Sequence, residues 1–270
     1  MKLLIKGTCL LLAATIVISC ATVPLTGRRQ LSLVDEGEIQ QQAALAYKDF
    51  LGDSKTKVVK GTSQAQTVQR VGKNIAGAVT RFLQENGYGD QYDFSWEFTL
   101  VDDDQINAWC MPGGKVAVYS GILPVTKNDA GLATVMGHEV AHAIAKHSAE
   151  RMSQSIIAQA GGAAVDVATS EKSNTTRAVL NTAYGLGGQL ALLSYSRNQE
   201  SEADRLGLVF MAMAGYNPNE AVGFWERMAQ AKQTQGGGAP PEFLSTHPSD
   251  ARRINNIQKL IPEAMGYYKK

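Results

Sequence analysis

The sequence predicts a mostly helical α+β domain with a small antiparallel sheet, and three patterns carry that prediction. Between residues 63 and 86, Val68, Val71, Ile75, Val79 and Phe82 recur at spacings of three and four, which lines one face of a helix. Tyr92, Phe94, Trp96, Phe98 and Leu100 then alternate with Asp93, Ser95, Glu97 and Thr99, the period of a half-buried strand. Residues 106–120 read as strand, Pro-Gly-Gly turn, strand. Strands gathered in one stretch, followed by helices, define an α+β layout with a single core.

The elements follow in order. Residues 1–19 carry Lys2 and Lys6 ahead of an apolar run, Leu10 to Ile18. That run is shorter than the ~20 residues a membrane span needs and reads as a lipoprotein signal peptide. Val17-Ile18-Ser19-Cys20 resembles the bacterial lipobox, which makes Cys20 the expected lipidation site. Thr22 stands where an Asp would retain a lipoprotein in the inner membrane. The expected location is therefore the periplasmic face of the outer membrane of a Gram-negative bacterium. Residues 20–62 are expected as a lipid-anchored tether and a helix near 33–50, capped by Ser32 and Asp35. The domain proper is expected over 63–270. Asn128-Asp129 opens a helix running to about Lys146. Two more are expected at 148–168 and 175–194, and another at 198–214, stopped by Gly215. Pro218 opens a further helix, 233–241 is a Gly- and Pro-rich loop, and a last helix starts near Ser249-Asp250.

Composition excludes several classes. In 270 residues, 44% are hydrophobic and 19% charged, so the chain is not a disordered one. Lys and Arg number 26 against 25 Asp and Glu, a net charge of +1, without the basic excess of a nucleic-acid binder. Three cysteines make no disulfide framework. Cys9 falls in the signal, Cys20 is the expected anchor, and Cys110 reads as a small buried hydrophobe.

Of the four histidines, three lie within ten residues of one another. His138-Glu139-Val140-Ala141-His142 is the H-E-x-x-H pattern. On a helix, residues i and i+4 share a face, so His138 and His142 can reach one metal, with Glu139 able to reach a water beside it. Leu132, Val135, Met136, Ala143 and Ile144 supply the apolar stripe that the helix needs. A catalytic zinc takes three protein ligands and keeps one open position. Asn198 to Asp204 contains the third: Glu200 could bind zinc while Asp204 orients a ligand histidine. Glu202 is the rival, about 200° around the helix from Glu200, and the residues alone leave the choice open. His147 falls about 140° from His142 on a continuous helix and reads as structural or solvent-facing. Asp102-Asp103-Asp104 reads as a solvated turn, since no Gly-spaced calcium loop follows.

Four segments together resemble the gluzincin zinc metallopeptidases of the CAAX prenyl protease and HtpX-like family (peptidase family M48), in particular its periplasmic lipoprotein members. They are NAWCMPGGKVAVYSGIL at 107–123, VMGHEVAHAIAKH at 135–147, SRNQESEADRLGL at 196–208 and STHPSDARRI at 245–254. The resemblance implies a zincin-like fold with its sheet beside the active-site helix, and one Zn2+ per chain. It implies His138, His142 and Glu200 as zinc ligands, Glu139 as general base and Asp204 as the partner of a ligand. It also places His247 near the zinc, as a fourth ligand, a gate or an oxyanion donor, and Arg253 as a catalytic donor to the oxyanion.

The expected activity is a zinc-dependent metalloendopeptidase cleaving misfolded or unassembled cell-envelope proteins, with extended substrate bound along an edge strand. Expected partners are such substrates, the membrane through the N-terminal lipid, and the outer-membrane assembly machinery; no nucleic acid is expected. Two alternatives are a zinc-holding, chaperone-like lipoprotein that binds unfolded outer-membrane proteins with little cleavage, and a structural lipoprotein without metal. Glu139 argues against the first, because binding needs no general base; stoichiometric metal content decides the second.

Overall fold

The structure, a computed structural model, describes residues 20–168, 196–234, 241–248 and 251–268. The signal segment 1–19, the helix expected at 175–194, most of the 233–241 loop and the Ser249-Asp250 start lie outside these residues.

The chain enters through a hairpin, β1 (Cys20–Thr22) antiparallel to β2 (Arg29–Leu31). Helix α1 (Glu36–Gly52) follows, its N-terminus capped by the Asp35 carboxylate, which accepts from the Glu38 amide. Strand β3 (Val58–Val59) joins the main sheet. Val23 is fully buried in the main core, with Leu25 and Val59 packed against it. Helix α2 (Ser63–Glu85) is capped by Thr62 and buries the apolar face its periodicity prescribes. It stops at Asn86, followed by Gly87 with φ of 76°.

Strand β4 (Glu97–Val101) is shorter than the alternation from Tyr92 implied. Tyr92, Phe94, Trp96 and Phe98 instead stack ring on ring, with centroids 5.7, 4.5 and 6.1 Å apart in turn. Alternation reports a shared face, which an extended segment provides whether or not it pairs with a strand. Strands β5 (Ala108–Met111) and β6 (Lys115–Tyr119) form the expected hairpin. Gly113 and Gly114 turn it at φ of 82° and 87°, and a Cβ on Gly114 would lie 2.6 Å from the Trp96 ring.

The order is β3-β4-β6-β5, and β4 runs parallel to β6. Two of its three pairings, β3 with β4 and β5 with β6, are antiparallel as expected, and β4 with β6 is the parallel one. Strand β5 passes one position out to the edge and β6 returns into the gap, so β6 takes the direction of β4. A short helix α3 (Leu123–Thr126) leads to α4 (Asp129–Ile144), which is buried from Gly131 to its end. Helices α5 (His147–Ala168), α6 (Arg197–Met213), α7 (Glu220–Thr234), α8 (Glu242–Thr246) and α9 (Ala251–Met265) complete the layout. Phe210, Phe224, Trp225 and Phe243 are fully buried around α4. Each such side chain contributes roughly 1.5–3 kcal/mol of burial free energy. The result is the α+β class expected, with α4 as the buried axis between the sheet and the later helices.

Candidate metal centre

Asn128 caps α4 by accepting from the Gly131 amide, and the helix then carries His138, Glu139 and His142 into the core. Ser196 and Gln199 form a capping box that starts α6, so Glu200 lies in its first turn. The two helices cross where Gly137 faces Gly207; a Cβ on Gly207 would lie 2.9 Å from the backbone of Gly137 and His138. Only glycine at these positions lets the backbones come so close, and that approach delivers Glu200 and Asp204 to the histidines.

His138 Nε2 lies 3.1 Å from His142 Nε2 and 3.5 Å from Glu200 Oε2. His142 Nε2 is 3.3 Å from Glu200 Oε1. His247, at the end of α8, brings Nδ1 to 3.1 Å from His138 Nε2 and 2.9 Å from Glu200 Oε1. These four ligand atoms lie within 4.8 Å of one another, and all four residues are buried. Asp204 Oδ1 meets the other nitrogen of His138, Nδ1, at 3.0 Å. That contact assigns the ring hydrogen to Nδ1 and turns the Nε2 lone pair into the cluster.

The donor set fits a metal ion. A tetrahedral ion with ligand bonds of about 2.0–2.1 Å has corners about 3.3 Å apart. The spacings above, 2.9 to 3.5 Å, are of that size. Glu139 Oε1 and Glu200 Oε2 are buried and accept no hydrogen bond. Their nitrogen neighbours, His247 Nε2 at 3.3 Å and Arg253 Nη1 at 2.8 Å, are close but off hydrogen-bond alignment.

The charges follow from this packing. Burial lowers His138, but Asp204 and Glu200 outweigh it and lift the pKa to about 9. Burial drives His142 well below its ordinary value. Burial raises Glu200, yet hydrogen bonds from His138, His142 and His247 reverse this and hold it strongly ionised. Glu139 is raised by burial, with His247 and His138 opposing.

Two further side chains pack against the cluster. Arg253, expected as an oxyanion donor, directs Nε and Nη2 to Asp204 at 2.9 and 2.8 Å and Nη1 to Glu200. Its guanidinium also lies 3.6 Å from the centre of a Trp225 ring. The fork thus engages two carboxylates, and Nη2 also stands 3.3 Å from His138 Nε2. His147, expected as structural or solvent-facing, takes the structural alternative: it is fully buried and lies 2.8 Å from His142, Nδ1 to Nδ1. Helix α4 ends at Ile144, and Lys146 takes φ of 52° before α5 begins. The continuous helix behind the 140° offset therefore does not exist. Glu200 faces the cluster, while Glu202 points away from it to His147 and Arg28. Gly137, Gly207 and Arg28 escaped the sequence reading, because nothing local marks them. Cys110 is partly buried and forms no disulfide.

Buried helical H-E-x-x-H, a carboxylate from a second helix and a strand hairpin beside them define a gluzincin-type metallopeptidase domain. Residues 62–261 match peptidase family M48, and the chain belongs to that family. The mitochondrial metalloendopeptidase OMA1 of Schizosaccharomyces pombe is 35% identical over 246 residues, 90% of this chain and 66% of that protein. Its namesake in Saccharomyces cerevisiae is 41% identical over 177 residues, 64% of this chain and 49% of that protein. The beta-barrel assembly-enhancing protease of Yersinia pestis is 31% identical over 179 residues, 63% of this chain and 36% of that protein. The chain thus spans from 36% to 66% of the length of these relatives.

The mitochondrial relatives overturn the expected location at a Gram-negative outer membrane. The expectation rested on a four-residue lipobox likeness and on Thr22, whereas the match to mitochondrial proteins extends over most of the chain. Among the described residues, no helix is long and apolar enough to cross a membrane.

Proposed function

We propose that the chain is a zinc metalloendopeptidase that cleaves unfolded or unassembled proteins of the cell envelope. The observation that carries the activity is the grouping of His138, His142, Glu200 and His247 with Glu139 alongside. The substrate class draws on the likeness to beta-barrel assembly-enhancing proteases. It also draws on β5, an edge strand whose outer side can pair with an extended peptide.

His138, His142 and Glu200 would hold the zinc, with His247 near enough to supply a fourth ligand. When bound, zinc supplies Lewis-acid chemistry, polarising a carbonyl and acidifying water. Glu139 takes the proton from the attacking water and passes it to the leaving amine. Its buried, hydrogen-bond-poor carboxylate suits that exchange. Asp204 fixes the tautomer of His138, and Arg253 holds Asp204 and Glu200 in place. His247 would lie close enough to such a metal to shield it from substrate.

The test is Glu139→Gln. The variant should keep one zinc per chain and lose cleavage of an unfolded protein. Unchanged cleavage with zinc retained would sink the assignment and leave the chaperone-like alternative.

A further inference from the structure

Beyond the four clustered residues, a second buried polar group runs from His142 to the N-terminal hairpin. His147 Nδ1 faces His142 Nδ1 at 2.8 Å, and His147 Nε2 faces Glu202 Oε2 at 2.9 Å. Glu202 also accepts from Arg28 Nε at 2.7 Å and from the Thr26 hydroxyl. Arg28 then donates Nη1 and Nη2 to the two oxygens of Glu150, at 2.7 and 2.9 Å. Gln30 accepts from Arg28 at 2.9 Å, and Gln199 donates to Glu150 at 2.7 Å. His147 is fully buried, and Glu202 and Glu150 are each 6% exposed.

One assignment of hydrogens satisfies the chain. With the His142 Nε2 lone pair turned into the cluster, His142 carries its hydrogen on Nδ1 and donates to His147 Nδ1. His147 then carries its hydrogen on Nε2 and donates to Glu202, whose charge Arg28 balances. Ligand histidines are generally held by such an acceptor on the second nitrogen, which fixes the ring and raises its basicity. Asp204 does this directly for His138. For His142 the acceptor is an imidazole backed by a carboxylate.

We propose that His147 and Glu202 are positioning residues for His142, and that Arg28 of the N-terminal hairpin locks the pair into the metal site. The proposal rests on the reading of His142 as a metal ligand. It makes the hairpin part of the site, since the relay's outer end comes from residues 26–30.

The experiment measures Co2+ and Zn2+ affinity by chelator competition, together with the visible ligand-field spectrum of the Co2+ form. The proteins are the full chain, His142→Ala, His147→Phe, His147→Asn, Glu202→Gln and Arg28→Gln. His147→Phe should lose about 10- to 100-fold in affinity and alter the Co2+ spectrum. His147→Asn, whose side-chain oxygen can accept where Nδ1 does, should recover most of the loss. Glu202→Gln and Arg28→Gln should weaken binding by less, in that order. Wild-type affinity and spectrum in both His147→Phe and Glu202→Gln would overturn the proposal. If His147→Phe does not fold, Glu202→Gln decides alone. Failure of the underlying site reading looks different: His142→Ala would then bind metal like the wild type.

Discussion

Gly137 and Gly207 meet backbone to backbone where the two site helices cross. A Cβ on Gly137 would stand 2.9 Å from the Gly207 carbonyl oxygen, and one on Gly207 would stand 2.9 Å from the Gly137 carbonyl carbon. Glu200 and Asp204 ride on the same helix as Gly207, so their distance to His138 depends on that crossing.

Gly207→Ala should therefore force α4 and α6 apart. Overpacking of this kind costs about 1–3 kcal/mol. Metal affinity should fall with stability, because Glu200 and Asp204 retreat together. Urea unfolding of the metal-free protein and chelator competition measure the two effects. Wild-type values in both would show that the crossing relaxes without cost.

Glu139→Gln keeps shape and removes the base. General acid–base groups contribute ~10²- to 10⁴-fold, so cleavage of an unfolded reporter should drop by about that factor at unchanged zinc content.

His247→Ala frees the fourth corner. Proteolysis should rise, with His138, His142 and Glu200 still retaining the metal. A fall in kcat at constant metal content would instead assign His247 to the oxyanion and remove the resting-cover role.

Asp204→Asn tests the ion pair beneath the site. Removing one partner of a buried pair costs about 3–5 kcal/mol, because Arg253 is left without its bidentate acceptor. The pH dependence has a definite sign. Burial raises the Asp204 pKa, but Arg253 and His138 outweigh it and hold the carboxyl below its ordinary value. A depressed folded pKa adds stability above the unfolded value of about 3.9, which is lost as pH falls through the folded one. In the metal-free protein, the gap between wild type and Asp204→Asn should be full near neutrality and shrink below about pH 4. A gap that widens on acidification would contradict this.

The sequence by itself determined what repeats locally. Helical spacing of four placed His138 with His142 and Glu200 with Asp204, and caps at Asp35 and Asn128 set two helix starts within a few residues. Such features follow from backbone geometry over a handful of bonds. Tertiary structure decided the rest. His147 reaches His142 because Tyr92 donates to the Ile144 carbonyl at 2.9 Å and Lys146 turns left-handed beside it, 4.7 Å from the Tyr92 ring. Glu200 was separated from Glu202 by which face of α6 meets α4. Arg253 was brought against Asp204, Glu200 and the Trp225 ring. Arg28 found Glu202 across 174 residues. No periodicity encodes a contact of that separation; it exists only once the apolar faces of α2, α4 and α6 have packed and fixed where the polar groups between them must pair.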